Sequence, residues 1–214
     1  MTLTIDIISD VVCPWCFIGK RRLEAALTRL QAEDPALAID IHWRPFFLNP
    51  ETPPEGDAYR PFLEKKFGGP EALQAIWQRV SEAGRSAGVE FAFDKISIRP
   101  NTLNAHRLLH RAHLQGNADA WAERLFVGHF QRGEDIGNTA VLAAIGAELG
   151  ENPAEIEAYL DSDADRAAVQ AEVEQGKALG VSGVPFFIFN NRLAVSGAQP
   201  PEVLLEAIAE AQAA

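Results

Sequence analysis

Residues 9–24 read Ser-Asp-Val-Val-Cys-Pro-Trp-Cys-Phe-Ile-Gly-Lys-Arg-Arg-Leu-Glu, and this stretch decides the fold. Ahead of it, Leu3, Ile5 and Ile7 alternate with Thr4 and Asp6, the period-two pattern of a strand that Ile8 continues and Ser9-Asp10 ends. Behind it, Pro14 suits a first helical turn, and Cys16, Leu23, Ala26, Leu27 and Leu30 recur at three-and-four spacing until Asp34-Pro35. Ile39, Ile41 and Trp43 then alternate with Asp40, His42 and Arg44 in a second strand closed by Pro45. Strand, helix and strand in that order pack most simply as a parallel crossover.

The two cysteines of the chain, Cys13 and Cys16, stand three positions apart, so they cannot staple distant parts of a secreted fold. A Cys-x-x-Cys pair at a strand-to-helix junction is the arrangement of a thiol redox centre. Unpaired N–H groups and the helix dipole favour an anion at the helix start, so Cys13 is the expected attacking thiolate and Cys16 its resolving partner. Pro14 and Trp15 lie between them, and Trp15 is expected to stay partly exposed and shape substrate access. Two other readings compete. The pair could be half of a zinc site, but no second pair exists and histidine would have to complete it; or both thiols could be inert packing. No metal is expected.

Residues 49–57 form a proline- and acid-rich loop, and residues 58–180 read almost wholly as helix, more than a crossover needs. The expected helices cover residues 59–67, 70–87, 102–115, 118–131, 139–149, 153–160 and 164–179. Asn138 and Asn152 are candidate caps, and Gly150 and Gly180 candidate stops. From Val184 the period changes: Val184 to Phe189, a turn at Asn190-Asn191, and Leu193 to Val195 read as a hairpin, followed by a helix opened by Pro200-Pro201.

A formal net charge of -11 argues against nucleic acid and anionic membrane surfaces as partners. No run reaches the roughly 18 apolar residues that span a bilayer. Met1 to Asp10 carry acids without a basic flank, so they do not read as a signal peptide, and a cytoplasmic protein is expected.

Pro185 enters a strand, where proline marks either a simple strand start or a cis bond with a role. His106, His110 and His113 share one helical face; a metal or proton role is weaker there than a solvated surface or one facing the helical insertion. Lys20, Arg21 and Arg22 read as a solvated face.

Residues 9–24, Asn101-Thr102 with Ala105 to Leu108, Gly180 to Phe187, and Val195 to Pro200 together resemble the FrnE-type branch of the DsbA-like thiol-disulfide oxidoreductases. The likeness covers nearly the whole chain. It implies a cis Pro185 facing the cysteine pair, with the backbone of Val184 pairing with an extended substrate, and it lends His106 tentative weight. Kappa-class glutathione transferases and hydroxychromene-carboxylate isomerases share the architecture. They usually carry serine where Cys13 stands, and a Gly-x-Asp segment for glutathione where this chain has Gly197-Ala198-Gln199.

The expectation is therefore an α/β protein: a thioredoxin fold in residues 1–57 and 181–214, interrupted by a helical insertion at 58–180. Its expected activity is thiol-disulfide exchange with protein or small-molecule thiols. No cofactor is expected to be bound, and glutathione stands as a candidate redox partner or co-substrate. The rivals are a glutathione-dependent isomerase or transferase and a non-enzymatic peptide or ligand binder. A homodimer is left open.

Overall fold

The computed structural model describes residues 2–213. β1 (Thr2–Ser9) leads through a short turn into α1 (Pro14–Glu33), and the chain returns as β2 (Ala38–Pro45), parallel to β1 from Thr2 opposite Ala38 to Ser9 opposite Pro45. The crossover read from the hydrophobic period is thus present.

The segment that follows carries β3 (Asp57–Ala58), α2 (Tyr59–Phe67), α3 (Pro70–Ser86), β4 (Ile98–Arg99), α4 (Leu103–Gln115), α5 (Ala118–Val127), α6 (Thr139–Glu148), α7 (Pro153–Asp161) and α8 (Arg166–Ala178). Asn138 caps α6 by accepting from Ala140 and Val141 N–H, and Asn152 caps α7 by accepting from Ala154 N–H. Two details differ from the all-helical expectation. β3 and β4 pair antiparallel, clasped by Arg99 Nε and Nη2 donating to Asp57 at 2.7 and 2.5 Å. A two-residue strand is too short to reveal alternation, so its sequence carried no strand pattern. The helix expected to run to Gln131 instead leaves α-geometry at Gly128 and widens into one π-helical turn, Gly128–Arg132, stopped by Gly133 at φ 73°.

β5 (Phe186–Phe189) lies antiparallel to β1, and β6 (Leu193–Ser196) antiparallel to β5, giving the sheet order β2-β1-β5-β6. Asn190 and Asn191, at φ 50° and 53°, make the hairpin turn, a left-handed pair that asparagine tolerates. α9 (Pro201–Ala213) packs beside α1.

The sheet and the helical segment share one core. Phe17 of α1 stacks on Phe126 at 5.2 Å and meets Phe91 edge-on at 6.2 Å; Phe91, Phe93 and Trp77 continue the seam. Burying each such ring contributes about 2 kcal/mol. Arg107 closes the far side of the helical segment. Its guanidinium is fully buried and donates to the carbonyls of Tyr159, Leu160, Ser162 and Ala164 at 2.7–3.0 Å, satisfying the open C-terminal end of α7. Arg107→Met keeps the apolar stem but strands these carbonyls. It is expected to cost about 3 kcal/mol, read as a lower denaturant midpoint for unfolding.

Candidate active site

The site begins where β1 ends. Asp10 sits at the turn, 1% exposed, and fixes three segments: its carbonyl accepts from Cys13 N–H at 2.9 Å, its carboxylate accepts from Leu48 N–H at 2.9 Å, and the same carboxylate lies 3.3 Å from His106 Nε2. Cys13 is thereby held in extended conformation (φ -94°, ψ 112°) as the last residue before α1. Its carbonyl accepts from Cys16 and Phe17 N–H, closing the first helical turn, and no side chain caps that helix start. The dipole's positive end is left directed at the Cys13 thiol.

Both thiols are free and nearly buried. Burial, reinforced by the adjoining Cys13 sulfur, pushes the Cys16 thiol well above its ordinary range, so it is held protonated at neutral pH. Pro14 and Trp15 remain partly exposed.

Cys13 Sγ stands 3.7 Å from the carbonyl oxygen of Val184, across the chain from it. The Val184–Pro185 peptide bond is cis. β5 starts at Phe186, so partly exposed Val184 lies beyond the end of the ladder. Pro185 is buried against α1 at Gly19, where a Cβ would come within 2.9 Å of Pro185 Cγ and 3.1 Å of Phe187 Cζ. Only glycine permits that approach. Pro185 is further anchored by its carbonyl, which accepts from Gly197 N–H at 2.8 Å.

The three histidines of α4 do not converge on one ligand. His106 is buried against Asp10, His110 pairs with Glu172 at 2.9 Å, and His113 packs on His42 with centroids 4.1 Å apart. Among the described residues no cluster of three or more metal-ligating side chains occurs. Lys20 corrects the solvated-face reading. It is 2% exposed and points at Glu24, Asp119 and Glu123; burial opposes its charge, but these carboxylates outweigh that and hold it above its ordinary range. Those partners lie partly on α5, a neighbour its local sequence does not reveal. Arg21 joins Glu24 and Glu123, and Arg22 donates to the Ala198 carbonyl at 2.5 Å.

A cavity of about 310 Å³ opens beside Cys13 and Val184 and runs into the helical segment. His129, in the π-helical turn, lines it and is fully buried. Burial lowers its imidazole to about 4, against the pull of Asp10. Sequence reading had no signal for His129 because nothing near it marks the turn.

This sheet, with its crossover helix opening on Cys13 and a proline loop brought beside it, defines a protein of thioredoxin fold. The chain belongs to the DSBA-like thioredoxin domain family, whose model matches residues 4–209. It is 28% identical to the Uncharacterized protein YwbO of Bacillus subtilis, over 99% of this chain and 98% of that one. The crystal structure of a probable DsbA oxidoreductase, SCO1869 of Streptomyces coelicolor, superposes with a TM-score of 0.89 at 28% identity, covering 99% of this chain and 90% of that one. The cytosolic disulfide reductase DsbM of Pseudomonas aeruginosa, solved with GSH, shares the fold at a TM-score of 0.60 and 21% identity over 98% and 96% of the two chains.

Two outcomes follow from this geometry. Gly19→Val should drive the Pro185 loop from α1, read as a lower thermal unfolding midpoint that the smaller Gly19→Ala lowers less. Because the folded-state pKa of His129 is lowered from its ordinary 6.5 to about 4, its contribution is whole above pH 6.5 and lost as pH falls toward 4. That loss is on the order of 3 kcal/mol, and His129→Phe should flatten it in unfolding curves measured across this range.

Proposed function

We propose that the protein is a thiol-disulfide oxidoreductase in which Cys13 and Cys16 form the redox couple and Val184-Pro185 the substrate-aligning edge. The observation that carries this reading is the juxtaposition of Cys13 Sγ, at an uncapped helix start, with the Val184 carbonyl 3.7 Å away. The Cys13 thiolate attacks a substrate disulfide, one substrate sulfur leaves as thiolate, and a mixed disulfide forms on Cys13. Cys16 then loses its proton and attacks the Cys13 sulfur. The second substrate thiolate departs, and the two electrons gained by the substrate are those given up in forming the Cys13–Cys16 disulfide. The reverse sequence oxidises a substrate dithiol.

Val184 lies outside the ladder, and its backbone would align an extended substrate in the manner of an added strand, its carbonyl now meeting Cys13 Sγ. The buried Asp10–His106 pair acts as a positioning element for the motif turn. Glutathione is the proposed redox partner, a reading supported by its presence in the DsbM structure, and two molecules would return the couple to the dithiol as one molecule of glutathione disulfide forms. The neighbour's description as cytosolic also supports a cytoplasmic place of work. The sequence blocks around Cys13 and Pro185 support the FrnE-type branch of the family. A glutathione-dependent isomerase would have no use for Cys16, whereas here Cys16 packs directly on Cys13.

With a peptide disulfide as substrate, Cys16→Ser should accumulate a covalent adduct on Cys13, read by intact-protein mass spectrometry, and Cys13→Ser should form none. No adduct on Cys13 in Cys16→Ser, together with undiminished glutathione-dependent turnover of an isomerisable or electrophilic substrate by that variant, would replace the redox reading with the isomerase or transferase type. Since burial raises the Cys16 thiol, resolution of the adduct in the wild type should speed up by about tenfold per pH unit through the neutral range.

A further inference from the structure

β1 turns one polar side chain toward α1. Ile7 lies opposite Phe187, whose ring reaches α1 at Gly19, so Leu3, Ile5, Ile7 and Ser9 face that helix, while Ile8 meets α8 at Gly176. Leu3, Ile5 and Ile7 are apolar core. Ser9, at the end of the strand, is 3% exposed, and its hydroxyl has no oxygen or nitrogen partner among the described residues. Burying a hydroxyl on those terms costs stability that alanine would keep.

What stands against that hydroxyl is the sulfur of Cys16, in the first turn of α1 and itself 2% exposed. Burial and the Cys13 sulfur oppose an ionised Cys16, whereas the Ser9 hydroxyl and the Asp10 backbone favour it. A neighbour favours a thiolate by donating to it, so the Ser9 O–H and the Asp10 N–H are the donors that reach this sulfur. No basic side chain is among the principal groups acting on Cys16. The helix start serves Cys13, nearer the end of the dipole, more than it serves Cys16.

We infer that Ser9 is a further catalytic residue of the couple, its hydroxyl donating to the Cys16 sulfur and holding the charge that sulfur carries as it attacks Cys13. The inference rests on the thiol-exchange reading and assigns the second half of that reaction. Cys16 gives its proton to solvent base, and its sulfur bonds to Cys13 as the bond from Cys13 to the substrate sulfur breaks. The electron pair leaves on the substrate thiolate, and Ser9 keeps its own proton throughout.

The second step can be isolated. A mixed disulfide with a peptide is formed on Cys13 in mildly acidic buffer, where Cys16 stays protonated, and is then brought to neutral pH. Its decay to the internal disulfide is followed by acid quenching and intact-protein mass spectrometry. Losing a hydrogen bond to a thiolate lowers its population by about one to two powers of ten, and the more basic sulfur that remains is about three to ten times more nucleophilic. Ser9→Ala should therefore resolve the adduct about three- to tenfold more slowly. Ser9→Thr should restore the rate and Ser9→Val, of the same shape without the hydroxyl, should not. Formation of the adduct in Cys16→Ser should be the same with and without Ser9→Ala. Because the hydroxyl has no other partner, Ser9→Ala should melt at or above the wild-type temperature; should it melt lower, the comparison of Ser9→Thr with Ser9→Val alone decides.

Ser9→Ala resolving the adduct at the wild-type rate, or Ser9→Thr as slow as Ser9→Val, would overturn the inference. If no adduct forms on Cys13 at all, the thiol-exchange reading fails by itself, and Cys13→Ala, which leaves Cys16 the sole thiol, decides the contact. Reaction of Cys16 with methyl methanethiosulfonate slowed in the same proportion by Ser9→Ala upholds the hydroxyl at that sulfur, and equal rates remove it.

Discussion

The close approach of α1 to the Val184-Pro185 segment is the contact on which the site depends. It exists because residue 19 has no side chain, so the Pro185 ring rests on the helix backbone two turns after Cys13. The same approach brings the Val184 carbonyl to the Cys13 sulfur. A sulfur at a helix start meets a substrate only if an extended backbone edge stands beside it. Gly19 therefore joins the first turn of α1, where the proposed chemistry sits, to the distant loop proposed to align the substrate.

Polar groups that would ordinarily face water hold this arrangement from within. Asp10 ties the motif turn to the loop after β2 and to His106, Lys20 joins α1 to α5 through carboxylates, and Arg107 ends α7. Each is buried and each has partners in more than one segment, so removing any one would leave another polar group unmet. His129 is buried as well, in the π-helical turn that lines the cavity beside Cys13.

Much of the frame was legible in the sequence because it is written in period. Leu3, Ile5 and Ile7 and then Ile39, Ile41 and Trp43 mark two strands, and Asn138, Asn152 and the Asn190-Asn191 turn mark boundaries by local chemistry that acts where it is written. The cysteine spacing likewise placed Cys13 and Cys16 together at the start of α1. What escaped reading depends on distant partners. The β3–β4 ribbon is too short to alternate, the π-helical turn begins at Gly128 where Arg124 and Glu134 pair from outside it, and Lys20 meets Asp119 and Glu123 only because α5 brings them to it. His106, His110 and His113 share a face as their spacing implies, yet each meets a different partner, so spacing alone overstated their unity.

The central claim is that Cys13 and Cys16 act as one two-electron couple at this edge. Equilibrating the wild-type protein across a series of ratios of reduced to oxidised glutathione, with acid quenching, alkylation and intact-mass readout, tests it most directly. The account predicts one reversible transition in which both thiols disappear together as an internal disulfide. Thiols that stay reduced at every ratio, or a population that ends with Cys13 glutathionylated and Cys16 free, would contradict it.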